Sequence, residues 1–238
     1  MSKAVVALSG GQDSVTCLFW ALNQFGDGNV EAVAFNYGQR HSIELECAAR
    51  IAEKAGVKLT TLSVPAFNEL GAAALTNTDI AVNADATDTG NVHAENQNLP
   101  STFVPARNLI FLGLLGAYAA QHEITNIVTG VCEADEAGYP DCRSLFIESF
   151  EETINLALGF ESWTMIVHTP LITLNKAKTF ELADRLGVLD VIVNDTHTCY
   201  EGVHDADHFH AWGYGCGECP ACVERMNGFA SMNDHANL

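Results

Sequence analysis

Residues 3–18 read KAVVALSGGQDSVTCL, and this stretch decides the fold. Residues 5–8 form a short apolar run rich in β-branched side chains, which predicts a buried parallel strand. Apolar residues from Val15 onward recur at helical spacing, and Ser14 is predicted to cap that helix. A loop with two glycines, residues 9–14, joins them. Because the first N–H groups of a helix have no internal partner and lie at the positive end of its dipole, the stretch predicts an anion site.

This loop differs from the two common nucleotide-binding glycine loops. The mononucleotide loop requires a Gly-Lys pair, which occurs nowhere in the sequence. The dinucleotide fingerprint G-x-G-x-x-G is missing here as well. Two interpretations stay open at this point, an unusual phosphate loop and a tight turn that binds nothing. The strand pattern before the loop and the helix pattern after it favour the phosphate loop.

Composition and charge limit the classes of function. The chain has 238 residues, of which 48% are hydrophobic, enough for one domain with a substantial core. No apolar run reaches the length of a membrane span and the chain does not start with a signal-peptide pattern, so we expect a cytoplasmic protein without a membrane partner. The formal net charge of −19 argues against a nucleic-acid partner, because it repels phosphate backbones.

Strand and helix patterns alternate along the rest of the chain. Strand patterns recur at residues 30–37, 57–64, 124–131 and 165–169. This alternation predicts an α/β fold with a doubly wound, mainly parallel sheet that is covered by helices on both faces. Residues 71–101 lack clear periodicity, which is typical of a functional lid or a disordered segment. The helical patterns between the strands cover residues 38–55, 109–120, 144–158 and 175–186.

Charged residues follow several of the predicted strands. Doubly wound sheets bind ligands outside the carboxyl ends of their strands, so Arg40 and His41 are candidates, although both also suit a solvated loop. Arg107 and Asn108 start a helix, where a cation opposes the dipole and indicates a nearby anion, although a surface ion pair explains it equally well. Lys176 starts another helix after a strand, a position suited to a phosphate contact.

The loop over residues 132–143 is acidic and ends in an arginine. Asp135, Glu136 and Asp141 are candidates for holding Mg²⁺ or contacting a substrate amine. Arg143 suits a carboxylate, which its planar guanidinium can bind in two places. The alternative is a solvated acidic loop.

Four cysteines near the end of the chain have metal-ligand spacing. Cys216, Cys219 and Cys222 follow one another at intervals of three, and Cys199 precedes them. Four thiolates suit tetrahedral Zn²⁺ and leave no open position, so we predict a structural zinc site. A redox C-x-x-C pair and free thiols are the alternatives, as is a histidine in place of Cys199. The nearby histidines are His197, His204, His208 and His210.

Several strings together carry a resemblance to a known family. SGGQDS, residues 9–14, resembles the pyrophosphate loop of the N-type ATP pyrophosphatases, or PP-loop enzymes, which cleave ATP between its α- and β-phosphates to adenylate a substrate. Taken with the other strings, it resembles the 7-cyano-7-deazaguanine synthases of the queuosine pathway, and the resemblance covers nearly the whole chain. The other strings are NYGQRH (36–41), TFVPARN (102–108), GYPDCR (138–143), Lys176 after PLITLN, Cys199-Tyr200 and CGECPAC (216–222).

The resemblance implies an ATP-dependent ligase that converts 7-carboxy-7-deazaguanine and ammonia into the nitrile through an amide. It implies ATP, Mg²⁺ and one structural Zn²⁺ per chain, and a homodimer. A Rossmann-like ATP-binding domain of the adenine nucleotide α-hydrolase type would span residues 1–190, with a zinc-binding segment, residues 191–238, packed on it.

Residue roles follow from the same resemblance. The loop would hold the phosphates with Asp13 placing Mg²⁺, while three cations would stabilise charge or bind the carboxylate. The implied catalytic residues are Asp13, Arg107, Arg143 and Lys176, and the zinc ligands are Cys199, Cys216, Cys219 and Cys222. The implied ATP contacts are Leu8, Ser9, Gly10, Gly11, Gln12, Asp13, Ser14, Val15, Thr16, Cys17 and Leu18.

Three other functions stay open from the sequence. An amidating PP-loop enzyme for a different carboxylate would share the loop and the ammonia chemistry. A tRNA-thiolating relative would need a sulfur-relay cysteine and a basic face, against which the net charge of −19 argues. A non-catalytic zinc module with a relic ATP loop is the third. Whether the reaction ends at the nitrile or the amide, and which pathway uses the product, are open too.

Overall fold

Five short apolar runs form a parallel sheet in the computed structural model, which describes residues 2–39, 41–70, 75–76, 102–133, 139–161 and 164–236. The strands are β1 (Ala4–Ala7), β2 (Val30–Asn36), β3 (Lys58–Ser63), β4 (Asn126–Val128) and β5 (Ile166–His168). Their order in the sheet is β3-β2-β1-β4-β5, and every neighbouring pair is parallel. The predicted α/β fold with a doubly wound parallel sheet is confirmed.

Helices cover both faces of this sheet. Successive side chains of a strand point to opposite faces, and in β1 both Val5 and Val6 are fully buried, each in a different hydrophobic cluster. A small antiparallel hairpin and a long final helix complete the described fold. The helices are α1 (Gln12–Phe25), α2 (Ile43–Lys54), α3 (Ala66–Leu70), α4 (Arg107–Gln121), α5 (Ser144–Ala157), α6 (Lys176–Arg185), α7 (Leu189–Asp195) and α8 (Pro220–Ala236), and the hairpin pairs β6 (Phe209–His210) with β7 (Gly213–Tyr214).

The strand order reverses beside β1. The chain passes from β1 outward to β2 and β3, and then returns to place β4 on the other side of β1. Val6 therefore pairs with Ala32 on one side and with Val128 on the other. The connections on the two sides leave in opposite directions, which opens a crevice at the carboxyl ends of β1 and β4, where sheets of this kind bind ligands.

The predicted cap of α1 is wrong. The helix begins at Gln12, and its N-cap is Gly11 in an extended conformation, with φ −81° and ψ 161°. Ser14 lies inside the first turn, and its hydroxyl donates a hydrogen bond of 3.0 Å to the carbonyl oxygen of Gly11. Glycine at the cap lets the chain enter the helix three residues earlier than the apolar spacing indicated.

The bounds of α2 and β4 also differ from the predicted bounds. Gly38 has φ 75°, which a helix does not allow, so α2 begins at Ile43 with Ser42 as N-cap rather than at residue 38. β4 is shorter than the predicted residues 124–131, because Ile124 N–H bonds back to Ala119 in the turn after α4. The short helices α3 and α7 were not predicted. Most of residues 71–101 lie outside the described part of the chain.

The last helix of the described chain packs onto helix α6. Pro220 starts α8 as predicted, and α8 lies along α6. Phe229 of α8 meets Phe180 of α6 edge to face, with ring centroids 5.3 Å apart. The proposed domain boundary at residue 190 stays a prediction. Among the described residues, no helix has both the length and the apolar character needed to span a bilayer.

Candidate active site

A cavity of about 330 Å³ lies at the carboxyl ends of β1, β2 and β4. Its walls include the β1–α1 loop, the residues that follow β2 and β4, and the first turn of α4. Lys176 and residues 197–200 come to it from the C-terminal half of the chain. The cavity therefore lies at the carboxyl ends of the strands, where the sequence predicted a ligand site, and it coincides with the strand-order reversal.

Two glycines allow the start of α1 to be packed tightly at the cavity wall. Gly10 has φ 89°, and a Cβ there would overlap the backbone carbonyl oxygen of Glu44 in α2. Gly130, after β4, lies against the backbone of Asp13 and Ser14, where a Cβ would come within 3.1 Å. Larger residues at either position would push the loop away from its neighbours. The loop and the first turn of α1 therefore pack closely between α2 on one side and the residue that follows β4 on the other.

The two serines of the loop hydrogen-bond within it. The Ser9 and Ser14 hydroxyl oxygens are 3.0 Å apart, and the Ser9 N–H donates to Ser14 Oγ at 3.1 Å. The Gly11 N–H donates to Ser9 Oγ at 3.3 Å. These bonds fix the loop, while the N–H groups of the first helical turn have no intrahelical partner and stay available to an anion.

Several buried polar atoms at the cavity have no protein partner. Gln12 is only 2% exposed, yet neither its Oε1 nor its Nε2 has a hydrogen-bond partner among the residues that the structure describes. The same holds for Asp13 Oδ1 and His41 Nε2, and all three residues line the cavity. A buried polar group without a hydrogen bond costs about 1–3 kcal/mol. These atoms are therefore the expected contacts of a polar ligand.

Asp13 and Lys176 form an ion pair inside the cavity. Lys176 Nζ lies 2.7 Å from Asp13 Oδ2 and 4.0 Å from Glu224 Oε2. The lysine side chain is only 10% exposed, so solvent screens the pair weakly. Gly228 of α8 packs against Lys176, where a Cβ would lie 2.5 Å from the lysine Cβ. The sequence predicted both residues as site residues, and the structure brings them together from 163 positions apart.

Arg107 lies among tyrosines at the start of α4. Burial lowers the pKa of the guanidinium, but Tyr37, Tyr139 and Asp141 raise it by more, so the net pKa lies above its ordinary value and the group is a permanent cation. Burial raises the pKa of Tyr37 to about 12 although Arg107 opposes this, so the phenol stays neutral. Arg107 is half-buried and lines the cavity, as expected for a group that meets an anion.

The sequence strings TFVPARN (102–108) and GYPDCR (138–143) are hydrogen-bonded to each other beside Arg107. The Asn108 N–H donates to Asp141 Oδ2 at 3.0 Å, and the Asn108 side-chain amide donates to the Asp141 carbonyl oxygen at 3.2 Å. The Asp141 carboxylate therefore accepts a hydrogen bond from one of the N–H groups at the start of α4 that have no intrahelical partner. This hydrogen bond holds one of the two carboxylate oxygens of Asp141 in place.

The structure does not bring Arg143 into the cavity. Arg143 is exposed at the N-cap of α5 and is not among the described residues that line the cavity. Arg40, Asp135 and Glu136 lie outside the described residues. Of the four predicted catalytic residues, Asp13, Arg107 and Lys176 therefore share one cavity.

Glu44 is a cavity residue that the sequence interpretation missed. It is half-buried in the first turn of α2 and lines the cavity. Burial raises the pKa of its carboxyl to about 7 from an ordinary 4.5, and Arg107 opposes this in part. A signal was present in the sequence, because Glu44 shares helical spacing with the buried Cys47, Ala48 and Ile51, so an acidic residue occupies an apolar face.

The four predicted cysteines come together beside this cavity. The Sγ atoms of Cys199, Cys216, Cys219 and Cys222 all lie within 4.8 Å of one another. The N–H of Cys219 donates to Cys216 Sγ at 3.3 Å, an arrangement that stabilises a thiolate. A set of four thiols fits tetrahedral zinc, so the group can hold a metal ion.

The rival histidines have other partners. His197 donates from Nε2 to the Cys199 carbonyl oxygen at 2.9 Å, and its Nδ1 lies 3.2 Å from Nδ1 of His204. His208 pairs with Asp205 at 2.8 Å. His210 donates to the carbonyl oxygen of Gly215 at 3.0 Å. Cys199 rather than a histidine therefore completes the cluster.

A buried arginine connects the cysteine cluster to α7. Arg225 is fully buried, and it donates hydrogen bonds of 2.8 Å each to the carbonyl oxygens of Trp212 and Ile192 and to Thr198 Oγ1. Burial lowers its pKa to about 10 although Asp13 opposes this, so it stays charged at neutral pH. Arg225 was not predicted, because two of its three partners are backbone carbonyl oxygens, which no sequence motif indicates.

Fold and site first define a class of protein: a doubly wound α/β protein with a PP-loop-type sequence at its strand-order reversal and a four-cysteine cluster beside the cavity. Comparison with known proteins narrows this class. The chain belongs to the family described as queuosine biosynthesis protein QueC, whose model matches residues 3–233. A 7-cyano-7-deazaguanine synthase from Lysinibacillus sphaericus is 50% identical over 226 residues, which are 95% of this chain and 93% of that protein.

Solved structures resemble the chain more distantly. An NH3-dependent NAD synthetase from Campylobacter jejuni gives a TM-score of 0.46 at 16% identity, over 80% of this chain and 66% of that one. A predicted subunit of a tRNA methyltransferase from Methanocaldococcus jannaschii gives a TM-score of 0.48 at 20% identity, over 78% of this chain and 76% of that one.

Proposed function

We propose that the protein is an ATP-dependent ligase that converts 7-carboxy-7-deazaguanine and ammonia into 7-cyano-7-deazaguanine. The observation that carries this proposal is the 50% identity, over 95% of the chain, to a protein named 7-cyano-7-deazaguanine synthase. The cavity supports it, because a loop with free N–H groups, a buried lysine and a half-buried arginine suit a polyphosphate and a carboxylate.

The chemistry requires activation of a poor electrophile. A carboxylate resists attack by ammonia until one of its oxygens becomes part of a phosphate leaving group, which ATP supplies. The loop of residues 9–14 holds the phosphates, and Lys176 stabilises the charge that develops on them. Arg107 binds the substrate carboxylate and orients it. The amide formed first is activated at its oxygen in the same way, and loss of that oxygen gives the nitrile.

The unpaired atoms at the cavity suit ATP with Mg²⁺. Asp13 uses Oδ2 for Lys176, whereas its buried Oδ1 has no partner among the described residues and is free for the hard, oxygen-preferring cation. The Gln12 amide has both a donor and an acceptor without partners. When bound, Mg²⁺ would neutralise charge on the phosphates, and Asp13 would hold it.

We also propose that the cysteine cluster holds one structural Zn²⁺. Four thiolates leave no open coordination position, so the ion takes no part in the reaction. Its role is to fix the segment that carries Thr198 and Tyr200, both of which line the cavity. The homodimer and the cytoplasmic location stay predictions.

A turnover assay tests the proposed function. Purified protein, shown by circular dichroism and metal analysis to be folded and zinc-loaded, is incubated with ATP, Mg²⁺, ammonium and 7-carboxy-7-deazaguanine, and the products are identified by mass spectrometry. We expect the nitrile. An amide as the only product would mean that the second activation does not occur in this chain. No carboxylate-dependent consumption of ATP would overturn the proposal.

The loop assignment has its own test. Ser9→Ala removes a hydroxyl that shapes the loop, and Asp13→Ala removes the partner of Lys176. Both variants should lose most ATP-dependent turnover. Unchanged turnover in both would show that the phosphates bind elsewhere.

A further inference from the structure

We propose that Glu44 accepts the proton that ammonia loses when it attacks the activated carboxyl group. The proposal deepens the proposed ligase function and rests on it. Glu44 is a catalytic residue in this account, because it would contact the reacting nitrogen.

Glu44 lies beside the phosphate loop. Glu44 lines the cavity from α2, and its backbone carbonyl oxygen packs against Gly10 of the phosphate loop. In the proposed reaction, the carbon that ammonia attacks would be bonded through one oxygen to the α-phosphate, which adjoins the phosphates that this loop would hold. A side chain that enters the cavity beside the loop is therefore close to the reacting carbon.

The Glu44 carboxylate has no hydrogen-bonded side chain beside it in the described protein. Among the described residues, no side chain donates a hydrogen bond to Glu44, and Asp13 rather than Glu44 pairs with Lys176. Gln12 lines the same cavity, is 2% exposed and has no partner for either amide atom. A carboxylate and a buried amide that both lack partners at one cavity indicate a subsite for a small polar molecule.

The Glu44 carboxylate is also more basic than an ordinary one. Burial raises the pKa of Glu44 to about 7, while Arg107, which faces it from α4, opposes the shift. Tyr37, at the end of β2, and Cys47, in the next turn of α2, also face Glu44. Both are neutral near pH 7, because burial raises the pKa of each. A base that titrates near the working pH is the most effective proton acceptor.

The step balances without a further reactant. The nitrogen lone pair forms the C–N bond, the bond from carbon to the phosphate oxygen breaks, and its electron pair leaves with the nucleotide. The nitrogen then carries one proton too many for a neutral amide, and Glu44 takes it. Protonated Glu44 returns this proton to water before the next turnover.

The test separates the two halves of the reaction. Adenylation of the carboxylate involves no proton acceptor, and it is followed without ammonia by the carboxylate-dependent exchange of labelled pyrophosphate into ATP. Amide formation is followed after ammonium is added. In Glu44→Gln we expect exchange within about three-fold of wild type. Amide formation should fall about 10²–10³-fold, the usual range for a lost general base.

Two further measurements make the test specific. Glu46→Gln removes the same charge from an exposed position of α2, and we expect both rates to match wild type. Hydroxylamine is largely unprotonated at neutral pH and a stronger nucleophile than ammonia. It should reduce the defect of Glu44→Gln by at least about ten-fold, whereas a residue with a purely structural role would give the same defect with both nucleophiles.

Three results would overturn the proposal. Equal loss of exchange and amide formation in Glu44→Gln would mean that Glu44 binds substrate or metal. Normal amide formation in Glu44→Gln, with a loss in His41→Gln, would assign the proton to His41, whose Nε2 also lacks a partner. A defect that hydroxylamine does not reduce would exclude proton transfer. Wild-type protein without pyrophosphate exchange would instead overturn the ligase function itself.

Discussion

The cavity and the cysteine cluster are neighbours with opposite designs. At the cavity, Gln12, Asp13 and His41 keep buried polar atoms without partners in the described protein. At the cluster, Cys216 accepts two N–H groups, and all three hydrogen bonds of Arg225 to its neighbours measure 2.8 Å. The polar atoms of the cavity find partners only when a ligand binds, whereas the cysteine cluster needs only a metal ion.

This difference predicts opposite consequences for stability. Unpaired buried groups lower the free energy of unfolding, and proteins retain them where function requires them. Satisfied networks and metal clusters raise it. Substitutions at the cluster should therefore unfold the protein, whereas substitutions at the cavity should abolish activity and leave the fold intact or more stable.

The largest effect is expected from breaking the cluster. Cys219→Ser replaces a soft thiolate with a weak ligand, so zinc content should fall about ten-fold or more and the protein should lose several kcal/mol of stability. Metal analysis and thermal unfolding measure both. Cys47→Ala, which removes a buried thiol away from the cluster, is the control and should retain its zinc. Loss of zinc in both variants would contradict a specific four-cysteine site.

Arg225→Met should have the next largest effect. It leaves the carbonyl oxygens of Trp212 and Ile192 buried without their donor, and each such atom costs about 1–3 kcal/mol. Urea unfolding should show a loss of about 3 kcal/mol. Arg225→Lys keeps the charge but cannot reach all three acceptors, so its free energy of unfolding should lie between those of the wild type and Arg225→Met. A loss too small to measure would mean that Arg225 does not hold the segment.

Lys176→Met tests the cavity side of the comparison. Turnover should fall about 10²–10³-fold, because a cation that stabilises phosphate charge is lost. The control is Lys54→Met, which breaks an ion pair of similar length, 2.6 Å to Asp195, with a lysine that is 56% exposed. We expect unchanged turnover and a change of about 0–1 kcal/mol there. Similar turnover in the two variants would remove Lys176 from the mechanism.

The sequence predicted both the cavity and the cysteine cluster from local patterns, but it did not predict the contacts between distant residues. The glycine loop and the C-x-x-C spacing are local, so residue types at fixed offsets identified both regions. The parallel sheet followed from the alternation of strand and helix patterns. The Asp13–Lys176 pair joins residues 163 positions apart, and sequence reasoning placed both in the site without predicting their contact.

The misses share a different cause. Arg225 binds backbone carbonyl oxygens, which leave no trace in residue types. Glu44 was hidden because an acidic residue in a helix usually faces solvent. The cap of α1 was misplaced because Gly11 can begin the helix through its backbone alone. The catalytic role of Arg143 stays a prediction, since the residue is exposed and is not among the described residues that line the cavity.

The free energy of unfolding of Glu44→Gln tests the central claim most directly. The folded-state pKa of about 7 lies above the ordinary 4.5, so the stability that the protonated group provides is complete below about pH 4.5 and is lost as the pH rises to about 7. At about pH 8, we therefore expect Glu44→Gln to be about 1–3 kcal/mol more stable than Glu46→Gln, with a smaller difference at about pH 5. A variant that is less stable than this control at both pH values would show that the cavity is built for stability, as the cluster is, and would contradict the account.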